Sequence, residues 1–512
     1  MEITGESKKP MRTAKKIRIS IRGIAKPAKP DKMGPAAPEA AFIKTESAGN
    51  RTMSDLRLKP GEKKEFYLRL LTIAAPISFQ SLMLALVAAA DALMLGRVAQ
   101  EQMTAVSLAA QIQFVQNMIL MAVTGAGSIL GAQYWGKGDR TTMRKLFRLM
   151  LRANGAISLL FFAACEAAPG ILMRLFTHDD ILIDIGVTYL RIAGWSYLMT
   201  GISQCFLAMM KVTDHVTPSA WISSFAVVMN IILNAVFIFG IFGIEGMQAR
   251  GAALATTLSR LAELALCIAV TMRGDYIRPG IRSLFSSEKR LARDFARQCL
   301  PLLGGSLFWG VGFTSYTAVM GHMGSDAAAA NSVAAVVRDL VCCACNGIGA
   351  AAGIMVGNEL GAGKMERGKQ YGIRLMKLSF IIGFASTLLV LAVTPLIVRM
   401  VVLTDEARAY LTGMMVIMAV YMIGRCVNTV TINGVLDGGG DTVFDVISLA
   451  VCMWGIAIPL ALLGAFVFRW PVLLVYACTC LDEVGKIPWV IYRLYRFKWV
   501  RNLTEPNPKT EA

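Results

Sequence analysis

Residues 70–96 read LLTIAAPISFQSLMLALVAAADALMLG. The run is apolar for long enough to cross a bilayer as a helix, which needs about 20 apolar residues. It contains one ionisable side chain, Asp91. A carboxylate in the middle of such a helix costs about 2.5–3.5 kcal/mol on insertion scales, so an acid there indicates a functional site. The alternative is an acid near the helix end that reaches interfacial water or pairs with Arg97.

Runs of this kind recur along most of the chain. Of the 512 residues, 55% are hydrophobic and only 17% are charged, below the roughly 25% of soluble domains. We therefore predict an all-α integral membrane protein with twelve transmembrane helices. The predicted spans are 68–96, 104–134, 144–168, 187–209, 218–242, 250–272, 297–320, 328–360, 374–400, 409–435, 443–467 and 471–492.

The loops between these spans alternate in charge. The segments GKGDRTTMRK at 136, RGDYIRPGIRSLFSSEKRLAR at 273 and GAGKMERGKQ at 361 are basic, whereas the loops on the opposite side contain no lysine. We name the first side the basic end. The positive-inside rule predicts that the basic end and both termini are cytoplasmic. This distribution accounts for the net charge of +18, so we expect the lipid bilayer and not nucleic acid as the partner.

The two halves of the sequence resemble each other. Pro76 corresponds to Pro301, SLAAQI at 107 to SVAAVV at 332, GAQYWGKGD at 131 to GNELGAGKM at 357, and LFTHD at 175 to VLTDE at 402. Four matches at offsets of 225–227 residues predict a parallel internal repeat, with a transport pathway between two pseudo-symmetric six-helix lobes. One chain then contains both lobes, so we expect a functional monomer.

The repeat sets the predicted domain boundaries. Residues 1–60 form a disordered basic cytoplasmic tail, unless Met53 is the true start, and residues 497–512 form a cytoplasmic C-terminal tail. The N-lobe covers 61–272, the linker 273–297 and the C-lobe 298–496.

Several uncharged polar residues fall at the depth of Asp91. They are Asn230 and Asn234, one turn apart in span 5, and Thr256 in span 6. A carboxylate surrounded by amides and a hydroxyl suits a proton or Na⁺, so we predict cation coupling here, with Asp91 and Asn234 as the Na⁺ ligands if Na⁺ is the ion. The alternative for the amides is ordinary interhelical hydrogen bonding.

Other polar residues are candidates for a central cavity. Tyr316 occupies the position that corresponds to Asp91, so the acid breaks the symmetry of the repeat. We expect Arg260–Glu263 and Glu483–Lys486 to be structural ion pairs near the basic end. Arg338–Asp339 either lines a cavity or pairs locally. The cavity candidates are Gln80, Gln111, Gln113, Tyr316, Arg425 and Asn428.

Enzyme chemistry is not indicated. No paired acids, histidine cluster or activated nucleophile occurs at one membrane depth, and the three histidines lack zinc-type partners. The eleven cysteines lie mostly in apolar runs without metal-ligand spacing, which favours a packing role. We therefore expect no cofactor beyond transported H⁺ or Na⁺.

Over about residues 60–504 the chain resembles the multidrug and toxic compound extrusion (MATE) family. The resemblance rests on Pro76, which lies fifteen residues before Asp91, and on the LMLG that follows Asp91. It also rests on GAQYWGKGD, and on NIILNAVFIFG followed by GAALATTLSRLAE. In the second half it rests on PLLGGSLFWGVG, GNELGAGKMERGKQYG and NTVTINGVLDGGGDT.

The resemblance implies export of small amphipathic, often cationic compounds in exchange for H⁺ or Na⁺, across a bacterial plasma membrane, by alternating access. The family's cation-coupling acid in span 1 corresponds to Asp91. The family's two polar residues in span 5 correspond to Asn230 and Asn234, and its hydroxyl residue in span 6 corresponds to Thr256. Some relatives have an acid where this chain has Asn234, and many have a basic residue at Asp437. Alternative functions are a lipid-linked precursor flippase, another exporter of the broader superfamily, or a major-facilitator-type transporter.

Overall fold

The computed structural model describes residues 60–96, 100–240, 245–280 and 288–505. Almost all of the predicted N-terminal tail therefore lies outside the described residues. Within these ranges the chain is helical and contains no β-strand. The predicted all-α class is confirmed.

Sixteen α-helices occur in the described ranges. Three π-helical segments, Thr429–Leu436, Ala450–Ala457 and Leu463–Val467, continue α11, α12 and α13. The helices are α1 Pro60–Gly96, α2 Gln100–Lys137, α3 Arg140–Ala167, α4 Pro169–Arg174, α5 Asp180–Val212, α6 Val216–Phe239, α7 Gln248–Arg273, α8 Lys289–His322, α9 Ser325–Gly361, α10 Met365–Met400, α11 Asp405–Asn428, α12 Thr442–Leu449, α13 Ile458–Leu462, α14 Val472–Thr479, α15 Leu481–Val484 and α16 Ile487–Tyr495.

Within the described residues, every predicted span lies mainly on helical structure. In the described chain, ten helices are long and apolar enough to cross a membrane. The seventh span, on α8, is less apolar because glycine, serine, threonine and aromatic residues lie between its leucines and lower its mean hydropathy. The twelfth is divided into α14, α15 and α16. Gly485 weakens the helix there, and Pro488 has no backbone N–H with which to continue it.

The two halves pack closely at the basic end. α1 and α2 of the first half contact α9 of the second, and α2 also contacts α8. A Cβ atom on Gly136 would lie 2.0 Å from the Asn358 carbonyl oxygen, and one on Gly361 would lie 1.9 Å from that of Gln133. Only glycine permits such an approach between helix backbones. Ion pairs Arg69–Glu359 (3.7 Å) and Arg367–Glu62 (3.6 Å) cross the same interface.

Residues 498–505, which we name the C-terminal strap, also belong to this interface. Trp499 is fully buried and packs in one core with Phe66 of α1 and Tyr371 of α10. Its indole Nε1 donates to the Leu494 carbonyl at 3.0 Å. The described part of the predicted C-terminal tail is therefore packed against the helices.

Candidate functional site

A chain of polar contacts lies inside the first half, between α6 and α7. The Asn234 amide nitrogen donates to Asn230 Oδ1 at 3.2 Å, and the Asn230 amide nitrogen donates to Thr256 Oγ1 at 3.3 Å. Both asparagines are buried, since Asn234 is 1% exposed and Asn230 is 6% exposed. The structure therefore brings together three of the four residues predicted for cation coupling, and we name them the amide–hydroxyl chain.

Local helix geometry explains the arrangement. Asn230 and Asn234 are four residues apart on α6, so their side chains are adjacent on one face. Thr256 donates its hydroxyl proton to the Ala252 carbonyl of its own helix at 2.9 Å. Its oxygen is thereby oriented to accept from Asn230. The hydrogen bonds of the amide–hydroxyl chain therefore all point the same way, from the Asn234 amide through Asn230 and Thr256 to the Ala252 carbonyl.

Asp91 lies on α1, which packs against α6 and α7. Its side chain lies outside the described residues. The contact between Asp91 and the amide–hydroxyl chain therefore stays a prediction, and so does the Na⁺ site at Asp91 and Asn234.

The three candidate glutamines have different environments. Gln80 on α1 is buried, and within the described structure its Oε1 has no hydrogen-bond partner. Gln111 is exposed and Gln113 is half-buried. Gln116, which the sequence analysis missed, is fully buried and donates to Ser158 Oγ at 3.2 Å and to the Tyr197 carbonyl at 3.0 Å.

A second polar region lies in the second half, around a cavity of about 110 Å³. The predicted candidates Tyr316 and Arg425 both line it. Aromatic, acidic and basic side chains all contribute to its wall, and its volume in this conformation is below the roughly 300–1,000 Å³ of a site that encloses a drug-sized ligand. The other lining residues include Trp309, Phe313, Arg338, Asp339, Tyr421, Tyr476 and Asp482.

Glu483 connects this cavity wall to α11. The Arg425 guanidinium donates to Glu483 Oε1 at 2.8 Å, and the Asn428 amide donates to Oε2 at 2.6 Å and to the Glu483 carbonyl at 2.7 Å. Lys486 lies 4.0 Å from the same carboxylate. The predicted Glu483–Lys486 pair is present. The shorter contacts of Glu483, however, are those with Arg425 and Asn428, and they join α15 to α11. Asn428 thus belongs to this network and not to the described lining of the cavity.

The remaining charged pairs match the sequence analysis. Glu263 is fully buried and accepts from Arg260 at 2.8 Å and from Ser203 Oγ at 2.5 Å. Arg338 pairs with Asp339 at 3.0 Å and also lies over the Phe313 ring, 4.5 Å from its centroid. Both interpretations offered for Arg338 hold, since it pairs locally and lines the cavity.

Asp437 is buried at the basic end, after the span that ends at Leu436. Burial, together with the nearby carboxylates of Asp445 and Asp441, raises its pKa well above the ordinary value. Asp441 instead accepts two hydrogen bonds from Arg493, at 2.7 and 2.9 Å. The basic residue that pairs with an acid of the GVLDGGGD motif is therefore Arg493 of α16, which lies outside the motif.

Asp482 is a further polar residue of this cavity and was not among the residues predicted from the sequence. It is 3% exposed and lines the cavity beside Tyr316. The two consecutive acids in LDEVGK, inside an apolar run, were the available signal. Among the described residues, no three His, Cys, Asp or Glu side chains form a group that could hold a metal ion.

Two helical halves that cross a membrane, with polar sites buried inside each, define a multi-pass membrane transporter. The MatE family profile matches residues 76–236 and again residues 301–463, and the chain belongs to this family, the multidrug and toxic compound extrusion (MATE) transporters. The two matches begin at Pro76 and Pro301, which confirms the predicted repeat.

Known proteins agree with this assignment. The chain is 26% identical to the probable multidrug resistance protein NorM of Bradyrhizobium diazoefficiens, over 78% of this chain and 87% of that protein. It is 20% identical to the uncharacterized transporter YisQ of Bacillus subtilis, over 79% and 88%. The crystal structure of a mutant of the Vibrio cholerae MATE transporter VcmN superposes with a TM-score of 0.78 at 15% identity, covering 86% of this chain and 99% of that one. The two-lobe fold is confirmed.

Proposed function

We propose that this transporter is a cation-coupled antiporter that exports small amphipathic, mainly cationic organic compounds across a bacterial plasma membrane. The observation that carries the proposal is the buried amide–hydroxyl chain on α6 and α7, against which the Asp91-bearing helix packs. Relatives named as multidrug resistance proteins support the substrate class.

The coupling ion is H⁺ or Na⁺. Asp91 binds the ion from the outer side, which neutralises the carboxylate and changes what it can accept from nearby amides. The two lobes then rearrange and release the ion inward. An ion shifts this equilibrium only by binding the two states with unequal affinity. The membrane potential adds about 2.3 kcal/mol per charge per 100 mV.

The groups on the wall of the second-half cavity support the substrate class, although the cavity, at about 110 Å³, does not enclose a drug-sized molecule in this conformation. It combines the aromatic rings of Trp309 and Tyr316 with the carboxylate of Asp482, and the two arginines of its wall, Arg338 and Arg425, are each paired with an acid. Aromatic faces and a nearby acid attract organic cations. We further propose that both termini are cytoplasmic and that a monomer is the functional unit.

The test is efflux of a cationic dye from proteoliposomes, with the pH and Na⁺ gradients imposed separately. The wild type should transport with one gradient and not the other, which identifies the ion. Asp91→Asn should lose gradient-driven efflux. Asp184→Asn, an exposed acid near the start of α5, is the matched control and should transport normally. Normal efflux by Asp91→Asn would refute the assignment.

A further inference from the structure

A surface pocket lies at the basic end, between α12 and the end of α16. It has a volume of about 320 Å³, and none of its described lining residues also lines the cavity of the second half. We name it the α12–α16 pocket. Three basic residues line it, Arg493, Arg496 and Lys498, of which Lys498 is the first residue of the C-terminal strap. The other described lining residues are aromatic or aliphatic, and none is acidic.

The pocket has more positive charge than the acids around it balance. Arg493 donates two hydrogen bonds to Asp441, so its charge is compensated. Arg496 and Lys498 are exposed, and neither forms an ion pair with a carboxylate in the part of the chain that the structure describes. The unbalanced charge of these two residues favours an anionic ligand.

The two arginines of the pocket are held against aromatic rings. The Arg496 guanidinium lies over the Tyr492 ring, 4.8 Å from its centroid, and donates to the Tyr492 hydroxyl. Arg493 lies over the Phe444 ring at 5.4 Å. Its bonds to Asp441 use Nε and one terminal nitrogen, so the other terminal nitrogen keeps two N–H donors. A guanidinium that is restrained in this way presents N–H groups that match the oxygens of a phosphate group.

The backbone of Lys498 is fixed between two anchored residues. Phe497 has a left-handed φ of 52°, which turns the chain after α16, and the side chain of Trp499 is fully buried. The Lys498 carbonyl also accepts from Arg501 Nε at 2.8 Å. A ligand in the pocket therefore needs to order only the side chain of Lys498, which lowers the entropy cost of binding.

The outer face of α12 indicates that the anion carries apolar chains. Val443, Ile447 and Val451 are exposed and follow one another at intervals of four residues, and the first two line the pocket. They belong to the candidate membrane span Thr442–Val467. Trp489, which also lines the pocket, packs edge-on against Phe444 at 5.2 Å, and tryptophan is typical of the boundary between lipid chains and headgroups. The basic and the apolar surfaces are therefore continuous.

We propose that the α12–α16 pocket binds an anionic membrane phospholipid. Arg496, Lys498 and the remaining terminal nitrogen of Arg493 bind the phosphate, and the acyl chains lie along Val443 and Ile447. Basic pockets between membrane helices on the cytoplasmic side bind anionic headgroups in this way. The headgroup would join α12 and α16 to the start of the C-terminal strap. The site lies outside the proposed transport pathway, so its occupancy does not depend on cation coupling.

The test uses the purified full chain in a neutral detergent and measures its Tm against lipid concentration. Short-chain phosphatidylglycerol should raise the Tm saturably, because a ligand that binds only the folded protein stabilises it. Short-chain phosphatidylcholine, which has no net charge, should not. In R496Q/K498Q the half-saturating concentration should rise on the order of 25-fold, about fivefold for each basic residue removed. Both side chains are exposed, so the Tm of this variant without lipid should change little.

The matched control is K289Q/R297Q, which removes one exposed lysine and one exposed arginine of α8, near the same end of the bundle but outside the pocket. It should respond to phosphatidylglycerol like the wild type. An unchanged response in R496Q/K498Q, an equal loss in the control, or an equal response to phosphatidylcholine would overturn the proposal. If inorganic phosphate alone produced the same stabilisation, and R496Q/K498Q lost it, the pocket would be a soluble-phosphate site and the lipid assignment would be wrong.

Discussion

The backbone N–H of Leu503 donates to Gln133 Oε1 at 2.6 Å. The amide nitrogen of the same glutamine donates to the Gly438 carbonyl at 3.0 Å and to the Arg501 carbonyl at 3.2 Å. A fully buried side chain of α2 is thus bound to two separate segments of the second half of the chain. These bonds close the basic end, and they must break in any state in which that end opens.

Replacing Gln133 by alanine should therefore destabilise this conformation. Three hydrogen bonds are lost and their backbone partners lie near buried surface, so we expect a loss of about 1–3 kcal/mol. The Tm of the purified protein measures it. Gln100→Ala, an exposed glutamine at the opposite end of the same helix, is the control and should leave the Tm unchanged. Equal Tm values for the two variants would show that the strap does not hold the halves together.

Thr256→Val should weaken cation-driven efflux about three- to tenfold and lower the stability by about 1–3 kcal/mol, because the buried Asn230 amide loses its acceptor. The substitution keeps the shape of the side chain and removes the oxygen that accepts from Asn230. Thr257 provides a close control because its hydroxyl donates to the Ile192 and Ala253 carbonyls, both at 2.9 Å, away from the amide–hydroxyl chain. Efflux from proteoliposomes checks the prediction. A larger loss of efflux in Thr257→Val than in Thr256→Val would contradict it.

Glu483→Gln should be strongly destabilising. The change leaves the buried Lys486 and the half-buried Arg425 without the carboxylate that they share. Loss of one partner of a buried ion pair costs about 3–5 kcal/mol. R425Q/E483Q should recover part of the loss, because neighbouring substitutions are not additive. Glu406→Gln, at an exposed position, is the control. A Tm for Glu483→Gln within a degree of the wild type would rule out a structural role for this network.

Asp437→Asn should stabilise the protein increasingly as the pH rises. Because the folded pKa of Asp437 is raised, the folded protein keeps its proton at pH values where the unfolded chain has lost it. The wild type therefore loses stability as the pH increases from about 4 toward the folded pKa, by at most about 1.4 kcal/mol per pH unit. The Tm difference between the variant and the wild type should grow as the pH rises above about 4, up to the pH at which the folded protein loses this proton. A difference that does not change with pH would contradict a buried, protonated Asp437.

Much of the fold could be predicted because hydrophobic runs and repeats are local or periodic signals. The span on α1 was evident from residues 70–96, and the correspondence of Pro76 with Pro301 located both halves. The pairing of Asn230 with Asn234 followed from helical periodicity alone. For Asn230 and Thr256 the sequence predicted only that both side chains lie at a similar depth in the membrane, and not that they are hydrogen-bonded.

The contacts that could not be predicted join residues far apart in the chain. Arg425 and Glu483 are 58 positions apart, and Gln133 and Leu503 are 370 apart. No periodicity connects such pairs. The break between α14 and α16 was also missed, since Asp482 and Glu483 lie in a run whose mean hydropathy resembles a continuous span.

The amino-acid sequence alone is enough to establish a helical membrane protein with an internal repeat, a basic side and an acid within its first span. Burial of apolar residues in lipid and the cost of unpaired backbone groups leave helices as the available structure for such runs. Which polar groups contact each other became known from the folded arrangement of the helices. Their partners depend on how helices pack across hundreds of residues, and close approaches such as that of Gly361 to Gln133 exist only once both lobes are folded.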